Sequence, residues 1–249
     1  RRVDAAGGFL SWRSGDVITL SVALWALLAV TRLLRGDEEA LRAEVLVASP
    51  LSPRRLMGHQ LAAVALGCVL MWAVIVAVSV VSGLPAGGSV LFGLMVAGGG
   101  MVFGAIAALT SQLFGTRRQA SGWAGAILGA SYLVRAVGDG STDLRWLGWL
   151  SPLGWAERIE PFTGANLVPL ALVVGSTAAL VATAMVLREH RDTGSGLIDE
   201  RAGSSAIRPV RSVLALTWQL SRGALVAWTA GVAIGMFVLG YLTNDVVVF

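Results

Sequence analysis

Six continuously apolar runs, near 16–34, 60–82, 89–111, 119–137, 167–187 and 223–243, alternate with short polar stretches along the chain. None shows the strict alternation of a half-buried strand, so the pattern predicts helices. Each run approaches the ~20 residues a helix needs to cross a bilayer. Between the first two lies a stretch, 36–60, that is too polar for lipid and too patterned for a plain loop. There Asp37 is placed to cap a helix, Glu38 and Glu39 favour its N-terminal dipole, and Glu38 and Arg42 stand four apart in the favourable order. Leu41, Val45 and Ala48 share one face, while Pro50 and Pro53 end the helix. Arg54 and Arg55 then mark the entry to the next span. The prediction is a short amphipathic helix over 37–48, held between two spans or, more plainly, closing the loop between them.

The other polar stretches differ in kind. Segment 138–166 carries Trp146, Trp149, Trp155 and Phe162 punctuated by Pro152 and Pro161. Trp favours the membrane interface, which predicts short helices at or dipping into the outer interface, or an aromatic belt. Residues 191–205 are rich in Gly and Ser and lack periodicity, which reads as a linker. In 207–222, Arg208, Arg211, Gln219 and Arg222 fall on one helical face and Val210, Val213, Leu214, Thr217 and Leu220 on the other. A basic amphipathic helix of this kind lies flat in an interface. Small residues four apart, Gly100, Gly104 and Ala108, then Ser121, Gly125 and Gly129, allow close helix packing in lipid. The run Gly98-Gly99-Gly100 is a place where its helix could loosen.

Composition agrees with a membrane protein: 55% of residues are hydrophobic and 14% charged, against about 25% charged in soluble domains. The 19 basic residues are all Arg. A phosphate-binding loop of the Gly-x-x-x-x-Gly-Lys type is therefore excluded from this chain. The Arg residues are dispersed beside apolar runs, so the high pI reflects topology and not nucleic-acid binding. Stretches 35–59, 112–118 and 188–212 hold most of them and alternate so as to share one side, which predicts that side to be cytoplasmic. Arg135 reads as a snorkelling residue near the outer end of its span. The lone Cys68 lies in an apolar run, so no disulfide framework is expected. Abundant Ala, Gly, Val and Arg fit a high-GC bacterial source, and both ends read as cut from a larger protein. Met95, Phe103, Trp123 and Tyr132 are candidates for a cavity or simply for packing.

Glu-Glu-Ala-Leu-Arg-Ala-Glu-Val-Leu-Val-Ala-Ser-Pro-Leu-Ser-Pro-Arg-Arg-Leu, 38–56, resembles the loop after the second span of type-2 ABC exporter permeases. Leu-Ser-Pro-Leu-Gly-Trp-Ala-Glu-Arg-Ile-Glu-Pro-Phe, 150–162, is similar to the outer re-entrant region of their tetronasin or polyketide-antibiotic subgroup. The resemblance implies an all-α polytopic transmembrane domain with six spans present of an expected twelve. It implies that 1–187 is most of the first transmembrane half, 188–206 a cytoplasmic linker, and 207–249 the elbow helix and first span of the second half. It implies a coupling helix at 37–48, docking on an ATP-binding subunit through Glu39, Leu41, Glu44, Val45 and Ala48, with Arg117 and Arg118 as a second contact. No catalytic residue, metal or cofactor is expected in this chain; ATP and Mg would be bound by the partner subunit, present in two copies. The expected cargo is an amphiphilic drug, antibiotic or lipid-like molecule, carried out across the cell membrane. A secondary transporter or channel would instead call for carboxylates at mid-depth, and a membrane enzyme for clustered His and acidic residues; His59 and His190 are far apart.

Overall fold

The computed structural model describes residues 6–40, 52–140, 143–162, 164, 166–191, 195–198 and 212–244. Among these there is no strand. Helix α1, Ala6–Thr31, runs on through a π-helical stretch, Arg32–Gly36, into one further α turn, Asp37–Glu39. It is followed by α2, Pro53–Val81, α3, Ala86–Leu113, and α4, Arg117–Gly140. A 3-10 turn, Arg145–Leu150, and a short α5, Pro152–Glu157, precede α6, Val168–Glu189, and α7, Val213–Asn244. Four helical stretches among the described residues, Ser14–Glu39, α2, α3 and α6, are long and apolar enough to cross a membrane. A fifth is reached if α7, bent by 43° between Val213–Gln219 and Ser221–Phe237, counts as one span. The chain is an all-α polytopic membrane protein.

Several sequence expectations change here. The run 119–137 is helical, but Arg117, Arg118, Gln119, Ser131, Arg135 and Asp139 leave α4 short of the hydropathy of the four spans. Pro53 does not end a helix; it begins one. Ser52 is extended and its Oγ accepts from Arg55 N–H at 3.4 Å, so Ser52-Pro53 is an N-cap followed by a proline at the first helical position. The second span therefore starts seven residues before 60. Asp37 does not cap a new helix: Gly36 and Asp37 are helical in continuation of α1, and Ala40 ends that last turn. Residues 41–48 of the predicted helix lie outside the described residues, as does 207–211 of the predicted basic helix.

Helix α3 is the centre, packed against α1, α2, α4 and α6 and buried along most of its length. The three consecutive glycines stay helical and let three neighbours approach. A Cβ on Gly98 would stand 2.9 Å from Val173 of α6, one on Gly99 2.6 Å from Thr19 of α1, and one on Gly100 2.9 Å from Val22 of α1. Cys68 of α2 closes the same packing layer, fully buried. This is the small-residue packing by which helices associate in lipid. Met95 and Phe103 belong to this core, whereas Trp123 and Tyr132 of α4 are exposed. Gly125 and Gly129 of α4 have open space where a side chain would stand.

Segment 138–166 does form short helices, and they fold back onto the bundle. Ser151 Oγ donates to Ser131 O at 2.7 Å and caps α5 by accepting from Gly154 N–H at 3.2 Å. Trp155 Nε1 donates to Trp149 O at 2.5 Å, and the Arg158 guanidinium lies 5.2 Å from the Trp149 ring centre. Phe162 meets Phe92 of α3 with ring centres 6.0 Å apart.

Candidate functional site

Two ion clusters of opposite composition hold the apolar stretch Ser14–Glu39, one at Asp16 and one at Glu38. In the last turn, Asp37–Glu39, one carboxylate, Glu38, is shared by three arginines. Arg35 Nη1 donates to Glu38 Oε2 at 3.0 Å, Arg188 Nη2 lies 3.3 Å from Glu38 Oε1, and Arg191 Nη2 pairs with that same oxygen. All four side chains are nine-tenths or more buried. The π-helical stretch delivers Arg35 to this position, and the Leu33 carbonyl within it accepts from Gln60 Nε2 of α2 at 2.9 Å. π-helical stretches recur at functional sites because they displace side chains from the regular helix register.

The arginines also close the end of α3. A helix leaves its last carbonyls unpaired and carries partial negative charge there. Ser111 O accepts from Arg35 Nε at 2.6 Å and Arg191 Nη1 at 3.0 Å, Gln112 O from Leu197 N–H at 3.3 Å, and Leu113 O from Ile198 N–H at 2.9 Å. Arg35 Nη1 reaches Ser195 O as well, at 2.9 Å. Residues 195–198, expected to be plain linker, are thus docked on α3. Burial pushes the Arg191 guanidinium below its ordinary value; Glu38 opposes that shift and Arg188 adds to it.

Of the residues expected to meet a partner, Glu39 and Arg117 come together: Arg117 N–H donates to Glu39 Oε1 at 2.6 Å. That bond ties the base of segment 37–48 to the turn entering α4. Arg118 is exposed and lines an opening of about 690 Å³ with Thr116, Gln119, Gly122, Trp123 and Ala126. Leu41, Glu44, Val45 and Ala48 lie outside the described residues. Sequence reasoning counted Arg35, Arg188 and Arg191 only as topology signals and paired Glu38 with Arg42. The signal for the cluster was the i,i+3 spacing of Arg35–Glu38 and Arg188–Arg191 at helix ends. Among the described residues, Arg35 and Arg54 of the first stretch, Arg117 of the second and Arg188 and Arg191 of the third share one end of the bundle.

At the other end one arginine serves three carboxylates. Arg135 of α4 pairs with Asp16 of α1, with Glu157 of α5 at 2.6 Å, and with Asp139 at 3.4 Å. Its side chain is only 11% exposed, which corrects the snorkelling reading. The side chain turns inward because two of its acidic partners come from other helices.

Between α2, α3 and α6 a third feature opens, an apolar cleft of about 620 Å³ walled by Cys68, Trp72, Met101, Val173 and Thr177 among others. Its polar groups are already used: Trp72 Nε1 donates to Val90 O at 3.3 Å and Thr177 Oγ1 to Val173 O at 2.7 Å.

The family model described as the C-terminal domain of multidrug efflux system permease Rv1217c matches residues 7–187. Multidrug efflux system permease protein Rv1217c of Mycobacterium tuberculosis (strain ATCC 25618 / H37Rv) is 36% identical over 252 residues, which cover 98% of this chain and 44% of that protein. The chain thus spans less than half the length of the curated relative it matches. With a family match that covers α1 to α6 and an apolar helical bundle to go with it, the chain belongs to the Rv1217c-type multidrug efflux permease family.

Proposed function

We propose that this chain is part of the membrane-spanning permease of an ATP-driven ABC exporter, which moves an amphiphilic drug, antibiotic or lipid-like molecule out of the cell. The energy comes from a separate ATP-binding subunit, present in two copies, which holds ATP and Mg; the chain itself is not catalytic. The observation that carries the reading is the meeting of Glu39 with Arg117. It joins Glu39, of the first expected contact, to Arg117, of the second, which supports reading the two contacts as one docking surface. Glu39, Leu41, Glu44, Val45 and Ala48 make up the larger part of that surface, and Arg117 and Arg118 the smaller.

The basic end is the cytoplasmic side, by the excess of arginine there, and the membrane is the cell membrane. The cleft between α2, α3 and α6 supports an apolar cargo, because its volume lies within the range of drug-sized sites and the Trp72 N–H and Thr177 O–H donors in its wall are already used within the bundle. The name of the mycobacterial relative points the same way. A secondary transporter or channel is favoured less, because ion coupling uses ionisable groups within the membrane. Among the described residues the buried ion pairs of this bundle gather at its two ends.

Replacing Leu41 and Val45 together by Asp puts charge on an apolar docking face, so export should fall by about tenfold or more, the effect of losing roughly 1.4 kcal/mol at the contact. Transport assays on the full permease with its ATPase check this. Wild-type export and wild-type ATPase stimulation by the doubly substituted, correctly inserted protein would reject the docking assignment.

A further inference from the structure

Helices α2 and α6 converge at one end of the bundle and part toward the other. At the basic end Arg54 Nη1 of α2 pairs with Glu189 Oε1 of α6 at 2.6 Å, and a Cβ on Gly58 would stand 3.3 Å from Met185 Cε. Farther along, each helix rests on α3 separately. A Cβ on Gly93 of α3 would stand 2.7 Å from Trp72 of α2, and one on Gly98 2.9 Å from Val173 of α6. The apolar cleft of about 620 Å³ lies where the two helices have parted, with Ala97 and Gly98 of α3 as its floor. It is a slot closed toward the basic end and open toward the acidic one.

Its dimensions are those of one leaflet. On α6 the lining runs from Leu170 to Val181, about 16 Å at the helical rise. Half of the hydrocarbon core of a bilayer is about 15 Å. Spread over that length, the volume leaves a mean cross-section of about 40 Å², half or less of what a helix 10–12 Å across occupies. The rims agree with a thin occupant. Helices meet in lipid through small residues, but here the small residues form the floor, while Val69 of α2 and Val174 of α6 stand exposed at the edges. None of the described lining residues is charged.

From this arrangement we infer that the slot binds one acyl chain of a bilayer phospholipid, taken in sideways from the leaflet on the acidic side. The methyl end points toward Cys68, Met101 and Val181, and the glycerol end lies near Trp72 and Leu170. The inference rests on the reading of this cleft as the place of an apolar molecule and names the class of that molecule. An unfilled gap between packed helices forfeits dispersion contacts on both walls, and a flexible methylene chain conforms to such a gap.

Photolabelling of the full-length permease in proteoliposomes tests this. The probes are phosphatidylcholines with a diazirine on one acyl chain, near the glycerol in one and near the methyl end in the other. The first should label Trp72 and Leu170, the second Cys68, Met101 and Val181. Ala178→Trp and, from the opposite rim, Val69→Trp should each cut this labelling by about tenfold, the effect of losing roughly 1.4 kcal/mol of binding. Both positions are exposed in the lining, so the larger side chains enter the slot without disturbing the core. Gly175→Trp, on α6 outside the lining and surrounded by open space, should leave labelling unchanged. Labelling that neither Ala178→Trp nor Val69→Trp reduces, or that spreads evenly over the exposed faces of α2 and α6, overturns the inference. Adamantane diazirine, a small apolar probe, separates the inference from the reading beneath it. If it labels the slot and the lipid probes do not, the acyl chain is overturned and the apolar site stands. If neither labels the slot, both are overturned.

Discussion

Glu38→Ala is expected to destabilise the permease by about 3–5 kcal/mol, the cost of leaving buried charge without its counter-ion. Three guanidiniums from two distant parts of the chain converge on this one carboxylate. Each of them also keeps a buried nitrogen with no hydrogen-bond partner among the described residues: Arg35 Nη2, Arg188 Nη1 and Arg191 Nε. The cluster therefore has little to fall back on once the carboxylate is gone. Glu38→Gln keeps the shape but turns an NH2 group toward guanidinium donors, so it should lose most of the same stability. Glu39→Ala is the contrast: that side chain is exposed and accepts one backbone bond, so its loss should cost only about 1 kcal/mol. Thermal unfolding of the full-length permease in nanodiscs separates the two. Equal stability of the Glu38 and Glu39 variants would mean that the cluster does not hold the end of α1.

Arg135→Met is expected to cost about 3 kcal/mol, because Asp16 and Glu157 then face each other with no cation between them. Arg135 is the residue that joins α1, α4 and α5 at the acidic end, so the loss should loosen the docking of the short α5 before it unfolds the spans. The sign of the interaction is tested by a second change. Asp16→Asn and Glu157→Gln, added to Arg135→Met, should recover most of the lost stability, since neighbouring charges couple non-additively. Failure of the triple variant to recover any stability would show that Arg135 acts through packing and not through charge.

How much of this was legible in the sequence depends on the range of the interaction. The apolar runs of α2, α3 and α6 are local and were read correctly as spans. The arginine bias was also legible, since it needs only a sum over each loop, and described arginines of all three stretches indeed meet at one end. Ser52-Pro53 was local too, but proline was read as a stop when a preceding Ser and a following apolar run make it a start. Helix α4 was overrated because Ala, Ile and Leu mask how many polar residues share its 24 positions. Of the ion clusters, only local fragments such as the i,i+3 spacing of Arg35 and Glu38 are legible; their long-range pairs are not. Glu38 and Arg191 are 153 residues apart and Arg135 and Asp16 119 apart. No periodicity links such pairs, and a lone arginine near a span end looks the same whether it snorkels or pairs inward. The seating of 195–198 on the end of α3 was hidden for a related reason: Gly and Ser mark flexible linkers, yet the backbone seat of Gly196 leaves no room for a side chain.

The central claim, that an ATP-binding subunit drives this permease through segment 37–48, is tested most directly by co-purification. The full-length permease would be isolated in nanodiscs with its candidate ATP-binding subunit, once intact and once with 37–48 replaced by a Gly/Ser linker. The account predicts a stable complex with the intact protein and none with the replacement. An intact, correctly folded permease that retains no ATP-binding subunit, or a replacement that binds as well as the original, would contradict it.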